Sequence, residues 1–394
     1  LGEGRVRAVN KVRSFKTDTV SLAQLREWLV GEGVTVVLME ATSSYWLPLR
    51  NALEDGPWEL IVVNPARVKL APGRKTDVID CKVLAKLAAL GMTRGSLVAG
   101  PAARDLKTLT RQRADLVARR TAVSNSLEKA LERTGLKLSA VVSKLLGKAS
   151  REILDAICRG VSDPEELAGL RGALKADQET LTRALTGQVT DIDRRVVRDK
   201  LAEVDRLDAG VAVLDTDIEI MANTGWPDEM RLLRQVPGWG PILAAVFIAE
   251  TGGDMSVFPS GKHLASWAGV APGTNSSAGK SKSSRVTKGN KHLKAALTLA
   301  AGNAARKKGT FFQARYLRIL RSHGKKQARV AVARTMAVTL WAMLGDGTDY
   351  VEKGSGWYTA QATDGQKRRA KVRAVAALRD LGWDVALTPL PATA

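Results

Sequence analysis

Two short apolar runs mark the start of the chain, VTVVLMEAT at 34–42 and LIVVNP at 60–65. They are rich in β-branched residues and too short for helices, the pattern of strands buried in a sheet. SLAQLREWLVGEG precedes the first run and YWLPLRNALEDG connects the two, both with helical spacing of apolar positions. Strand and helix alternating over the first hundred residues is α/β character. A further helix is punctuated within GRKTDVIDCKVLAKLAALG. Thr76 is placed to cap it, Asp77 and Asp80 fall in its first turn, and a glycine ends it.

From about Pro101 to Asn223 the β-rich runs stop and helical periodicity takes over. DLKTLTRQRADLVARRTAVSNSLEKALERTG reads as one long basic helix. Val204, Leu207, Val211, Leu214, Ile218 and Met221 follow 3-4 spacing with acidic flanks. A coiled-coil seam of about two heptads gives that pattern, and so does an amphipathic hairpin within one chain. A third region begins at LLRQVPGWGPILAAVFIAETGG and runs to about Tyr350, and the last forty or so residues read as one basic helix and a Pro/Thr/Ala tail. The expected organisation is therefore 1–100, 101–230, 231–350 and 351–394.

Composition narrows the classes. In 394 residues the apolar fraction is 45%, enough to fill real cores and to exclude wholesale disorder. No apolar run approaches a membrane span and no signal peptide opens the chain, so no membrane partner is expected. The chain does not begin with Met, and its natural N-terminus is expected to precede residue 1. Cys81 and Cys158 stand singly in helical patterns, which gives neither a disulfide framework nor a zinc site. Three histidines leave little scope for His-based chemistry. A reducing bacterial cytoplasm is the expected setting.

Charge changes the picture most. The net charge is +21, and from Met255 to Gly345 there are seventeen Lys or Arg and no Asp or Glu. A surface of that kind repels itself unless it meets a polyanion, and nucleic acid phosphate is the obvious one. In the long basic helix Arg111 and Arg113 are candidate backbone contacts. In VPGWGP, Gly238 and Gly240 sit between two apolar helices. Such a turn either exposes N–H groups to a phosphate, as in a helix-hairpin-helix element, or simply joins two helices tightly.

Two groups of residues carry candidate chemistry. Glu40 ends a buried strand, where a charge is costly unless paired. Asp77 and Asp80, three apart, share one face of a helix. Together the three carboxylates could hold one or two magnesium ions for phosphodiester chemistry, while Asp77 alone is equally a first-turn acid favoured by the helix dipole. The second group is GTNSSAGKSKSSRVTKGNKHLK at 273–294, with five serines, six Lys or Arg and no acid. Lys280, Lys282, Arg285, Lys288 and Lys291 are its candidate phosphate contacts. The stretch lies between the apolar segments HLASWAGVAP and HLKAALTLAAG, so its ends are expected to be anchored in one core. It is either a structural loop or a setting in which cations stabilise a serine alkoxide and hold its target.

These parts together resemble the DEDD transposases of the insertion sequence 110 family, the bridge-RNA-guided serine recombinases. The matching stretches are MEATSSYW, VVNPARVKLAPGRKTDVIDCKVLAKL, VPGWGPILAAVFIAETGGDMSVFPSGKHLASWAGVAPGTNSSAGK, TKGNKHLKAAL and AVARTMAVTLWAML, in the family's order. The resemblance implies a RuvC-like N-terminal domain of ribonuclease-H fold, a helical coiled-coil middle and a mainly helical C-terminal transposase domain. It implies a Mg2+-binding tetrad, with Glu40, Asp77 and Asp80 matching its last three members. It places the catalytic serine at Ser277, with Ser276 the neighbouring register, because Ala278 stands where family members usually carry Gly. The tetrad's first Asp belongs to an opening strand. LGEGRVRAVNKVRSF reads as the second strand and its hairpin, and Asp18, the one Asp before Glu40, sits at a helix-capping position. The implied partners are donor and target DNA, a noncoding bridge RNA and further copies of the chain, for which the 204–221 seam is a candidate interface. A metal nuclease of junction-resolvase type, with water as nucleophile and Ser277 structural, is the alternative. A binding module without catalysis is a third reading.

Overall fold

A computed structural model describes residues 11–42, 45–65, 76–93, 95–273, 275–277, 280–283, 285–360 and 364–386. It divides into two compact units, Leu1–Val98 and Ala99–Ala394.

In the first unit α1 (Thr19–Gly31) is capped by Asp18, whose carboxylate accepts from the Ser21 amide at 2.9 Å. The capping role expected of Asp18 holds, and these bonds keep its carboxyl below the usual range. β1 (Val36–Glu40) leads through α2 (Trp46–Leu53) to β2 (Glu59–Val63). The strands pair in parallel, Val36 opposite Glu59 and Glu40 opposite Val63. Parallel pairing requires a crossover, and α2 supplies it. Met39, Leu53, Trp58 and Val62 form the core, with Leu25, Leu29, Trp46 and Leu49 packed on it. The Trp58 indole donates to the Leu53 carbonyl at 2.9 Å, which satisfies its one polar atom inside that core. α3 (Asp77–Ala89) starts at the Thr76 cap and packs against β1. The reading of 1–15 as the second strand and its hairpin falls largely on residues 1–10, outside the described residues, and 11–16 carry no strand.

The second unit is helical apart from one hairpin. α4 (Pro101–Arg133) and α9 (Asp191–Gly225) lie along one another. Arg113 pairs with Asp215, Arg120 with Asp208 and Arg133 with Asp193, so the two helices run antiparallel. Between them α5 (Leu138–Val141), α6 (Lys148–Arg159), α7 (Pro164–Gly169) and α8 (Gln178–Leu185) close a small lobe over Leu127, Ile153, Leu154, Leu181 and Leu201. α10 (Pro227–Gln235), α11 (Pro241–Thr251) and α12 (Gly261–Trp267) follow. β3 (Asn275–Ser277) and β4 (Lys280–Ser283) form an antiparallel pair. α13 (Lys291–Ala304) and α14 (Phe311–Asp346) pack on each other, α14 breaking at Gly324 (φ 78°). α15 (Trp357–Ala360) and α16 (Asp364–Asp380) end the described chain, and the tail reading falls on 387–394, outside it.

The 204–221 periodicity resolves in favour of the intrachain hairpin. Val204, Leu207, Leu214 and Ile218 are buried in α9, and α4 is its principal partner. Val211 and Met221 are half-buried, so α4 covers most of the stripe and the intrachain pairing accounts for the periodicity. Leu207→Ala is expected to cost about 2 to 5 kcal/mol, the range for a leucine truncated in a packed core. Urea denaturation measures that loss, and light scattering on the folded variant is expected to give the wild-type mass.

Candidate functional site

α11 is apolar on every side, with Ala244, Ala245, Phe247, Ile248 and Ala249 all buried, as expected of a helix through the middle of a core. Its single charge is Glu250, whose side chain is 1% exposed. A carboxylate removed from water needs several partners. Glu250 has four bonds to three side chains: Lys107 Nζ at 3.1 Å, Arg111 Nε at 3.0 Å and Nη2 at 3.2 Å, and Asn290 Nδ2 at 2.6 Å. Burial pushes its carboxyl up. Arg111, Lys107 and Asn290 together outweigh burial and leave it below the usual carboxylate range.

Asn290 is the N-cap of α13, its Oδ1 accepting from the amides of His292 and Leu293. One face of its amide therefore starts α13 and the other is tied to Glu250. His292, beside this cluster, is held below its ordinary value by burial and then by Arg111, which favours the neutral ring. Just before Asn290, the chain runs back against the end of α12. A Cβ on Gly289 would lie 2.4 Å from the Gly269 amide nitrogen and 2.5 Å from the Trp267 carbonyl, so only glycine permits that approach. The Asn290 amide donates to the same Trp267 carbonyl at 2.9 Å.

From this anchor a hairpin rises. Gly273 N–H donates to the Arg285 carbonyl, Thr287 N–H to the Ala271 carbonyl, and Pro272 bridges Val286. The pairing continues with Asn275 opposite Ser283, Ser276 opposite Ser281 and Ser277 opposite Lys280, with an irregularity between Asn275 and Ser276. The expected open loop is thus a short antiparallel hairpin, and Ser277 is the last residue of β3 at its turn. Ala278 and Gly279, and the side chains of Ser276, Ser277, Lys280 and Lys282, lie outside the described residues. The ends of the stretch are anchored in one core, as the flanking apolar segments required.

Three expected phosphate contacts have other work. Arg111 is committed to Glu250, and Arg113 to Asp215 through paired bonds to both oxygens. Gly238 (φ 93°) faces α13: a Cβ there would lie 2.3 Å from the Ala300 carbonyl, and its own carbonyl accepts from Asn303 at 3.3 Å. The turn is a tight helix–helix contact at Gly238. Gly240, the N-cap of α11, has open space where a Cβ would stand. Lys288 and Lys291 are exposed, and Arg285 sits at the hairpin base.

In the other unit Glu40 ends β1, half-buried, with Thr42 Oγ1 donating to it at 2.9 Å. Asp77 is exposed and Asp80 half-buried at the start of α3, which packs on that strand. Hard oxygen donors on two packed elements are the right chemistry for Mg2+. Among the described residues, however, no three carboxylate, histidine or cysteine side chains converge closely enough to hold an ion. Glu40, Asp77 and Asp80 stand on two packed elements, with oxygen donors of the kind that would hold Mg2+.

Comparison with known proteins defines the class. Residues 4–135 match the DEDD transposase model and residues 230–317 match the model of the IS116/IS110/IS902 transposases. The chain is 32% identical over 302 residues to the 42 kDa protein of insertion element IS900 from Mycobacterium paratuberculosis, covering 70% of this chain and 73% of that one. It is 28% identical over 319 residues to the 44.8 kDa protein of insertion element IS116 from Streptomyces clavuligerus, 73% and 78% covered. A protein of Pseudomonas aeruginosa described as a probable family 20 transposase is 25% identical over 335 residues, 83% and 89% covered. These are proteins of mobile elements, and the class is DNA transposase. The chain belongs to the IS116/IS110/IS902 transposase family.

Sequence reasoning missed Glu250, Asn290 and Gly289. One signal was available, a single acid inside the eleven apolar-rich residues of α11. Glu250→Gln removes the charge that Lys107 and Arg111 face, and is expected to cost about 3 to 5 kcal/mol, as for a broken buried ion pair. Its folded pKa being depressed, Glu250 stabilises above the unfolded value near 4.3, and that contribution fades as pH falls through the folded one. Urea midpoints from pH 7 to pH 3 are expected to fall more steeply for wild type than for Glu250→Gln.

Proposed function

We propose that this transposase cleaves and rejoins DNA through Ser277, with a carboxylate centre at Glu40, Asp77 and Asp80 and guidance from a noncoding bridge RNA. One observation carries the reading. Ser277 ends β3 at the turn of a hairpin whose base is fixed by main-chain bonds, by the close approach of Gly289 and by the Asn290–Glu250 pair. A structural loop has no need of so firm a base, and a nucleophile that must meet a phosphorus atom in line does. The surrounding stretch from Met255 to Gly345 has no acid to repel that phosphate.

In this reading the Ser277 oxygen attacks the scissile phosphorus, forming a phosphoserine bond as the bond to the 3′ oxygen breaks. That oxygen leaves as a 3′ hydroxyl once protonated. The 3′ hydroxyl of a partner strand then attacks the phosphoserine, which restores the serine and joins the strands. Lys288, Lys291, Lys280, Lys282 and Arg285 neutralise the backbone phosphates. Glu40, Asp77 and Asp80 would hold Mg2+, which when bound supplies charge stabilisation at the phosphate. Residues 1–100 form a RuvC-like domain of ribonuclease-H fold, 101–230 the helical region, 231–350 the transposase domain and 351–394 a basic helix and tail. Base pairing by the RNA reads donor and target sequence while the protein reads backbone, and the working assembly contains more than one copy of the chain.

The test is a covalent-adduct assay with the RNA, labelled DNA and Mg2+. Wild type and Ser276→Ala are expected to give protein-linked DNA after denaturation, Ser277→Ala none, and Asp77→Ala at least a hundred-fold less, on the order of other lost charge-stabilising groups. Cleavage without an adduct, dependent on Asp77 and indifferent to Ser277, would sink the serine route and promote the metal nuclease.

A further inference from the structure

Away from the hairpin, α14, the segment after it and Lys262 of α12 line an open cavity of about 650 Å³, within the range of about 300 to 1,000 Å³ usual for small-ligand sites. One wall is aromatic. The rings of Phe311 and Tyr358 stack at 5.4 Å with 14° between planes, Trp357 meets Phe311 edge-on at 5.2 Å, and Phe312 stacks on Tyr350 at 6.1 Å. Val338, Ala342, Met343 and Val351 extend the apolar lining, and four cations, Lys262, Arg315, Arg334 and Lys353, also line the space.

Arg315 donates through Nη1 to the Tyr358 hydroxyl at 2.9 Å, while its Nε is buried with no hydrogen-bond partner. A buried guanidinium N–H without an acceptor is costly unless a ligand supplies one. Lys262 and Arg334 have no ion-pair partner among the described residues, and Lys353 lies over the Phe311 and Trp357 rings rather than on a carboxylate. The one acid in the lining, Asp349, is already bound by Arg231 at 2.6 Å and Gln235 at 3.0 Å. Phe311 and Phe312 are buried, so the half-buried rings of Tyr350, Trp357 and Tyr358 face the cavity, beside the charges of Lys262 and Arg334.

We propose that this cavity takes an unstacked nucleotide of a single strand, its base against the aromatic wall and its phosphate on Arg315, Arg334 and Lys262. Every base has a π face, so stacking of this kind tolerates sequence and requires that the base be out of a duplex. An apolar peptide would fill the aromatic wall and leave the Arg315 Nε and two lysines unmatched. Strand transfer exposes unpaired nucleotides, and either the DNA or a structured RNA could supply one. The inference rests on the family's nucleic-acid substrate and not on Ser277, so failure of the serine chemistry leaves it standing.

The experiment measures binding by the full chain to oligothymidylate, to the matching RNA, to an abasic deoxyribose-phosphate strand of equal length, and to a duplex, each of about 15 nucleotides, a site size typical of single-strand binders. Wild type is expected to bind the base-bearing strands about ten-fold tighter than the abasic one, the scale of base–aromatic stacking. Arg334→Gln is expected to weaken single-strand binding and lower its salt slope by about 0.7, one phosphate contact, with duplex binding and thermal melting unchanged. A 5-iodouracil strand is expected to cross-link to peptides containing Phe311 or residues 350–358. Tighter binding of either DNA or RNA supports the site and identifies the polymer that fills it. Equal affinity for abasic and base-bearing strands, or parallel loss of duplex and single-strand binding in Arg334→Gln, overturns it.

Discussion

The carboxylate of Glu250 is the constraint on which the second unit is built. It sits in the most apolar helix of the unit and cannot stay charged there without partners. Lys107 and Arg111 reach it from α4, and Asn290 from the start of α13. Three helices distant in sequence are thereby fixed to one pair of oxygen atoms. A hydrophobic contact has no direction, whereas the Asn290–Glu250 bond sets the axial position of α13 as well as its presence. Asn290 is also the end of the serine hairpin, so the same bonds determine where that hairpin leaves the core. The desolvation cost makes the device unforgiving, since loss of both Lys107 and Arg111 would leave the Glu250 charge buried and uncompensated.

Cations in this protein fall into two groups that charge counting does not separate. Arg111, Arg113 and Arg120 spend their charge on Glu250, Asp215 and Asp208, and so hold the helical hairpin together. Lys288 and Lys291 stand exposed beside the serine hairpin, and Lys262 and Arg334 line the aromatic cavity. The acid-free stretch explains the difference. Where α4 faces α9 the acids are supplied by the chain, and between Met255 and Gly345 they must come from a polyanion.

Much of the architecture was legible in the sequence, for identifiable reasons. β1 and β2 were short β-branched runs, α3 carried its own cap at Thr76, and Asp18 behaved as the cap its position suggested. The 204–221 stripe left a coiled-coil seam and an intrachain hairpin equally open, because periodicity reports an apolar face and says nothing of what covers it. β3 and β4 escaped notice since NSS and KSKS lack any apolar alternation; their pairing follows from main-chain bonds at 271–273 and 285–287. Gly238 was readable as a glycine that mattered, yet its reason is the carbonyl of Ala300, some sixty residues away in the chain. The charge of Arg111 and Arg113 is visible in sequence and suggests phosphate, whereas their partners Glu250 and Asp215 are visible only in the fold.

The central claim is that the hairpin holds a nucleophile, and it is tested most directly by finding the atom that carries DNA. The wild-type reaction with RNA, Mg2+ and DNA is denatured and digested with protease and nuclease. Tandem mass spectrometry then locates the nucleotide remnant on the peptide spanning 273–285. The account predicts a phosphodiester on Ser277. A remnant on another residue, or cleaved DNA with no modified peptide at all, would contradict it.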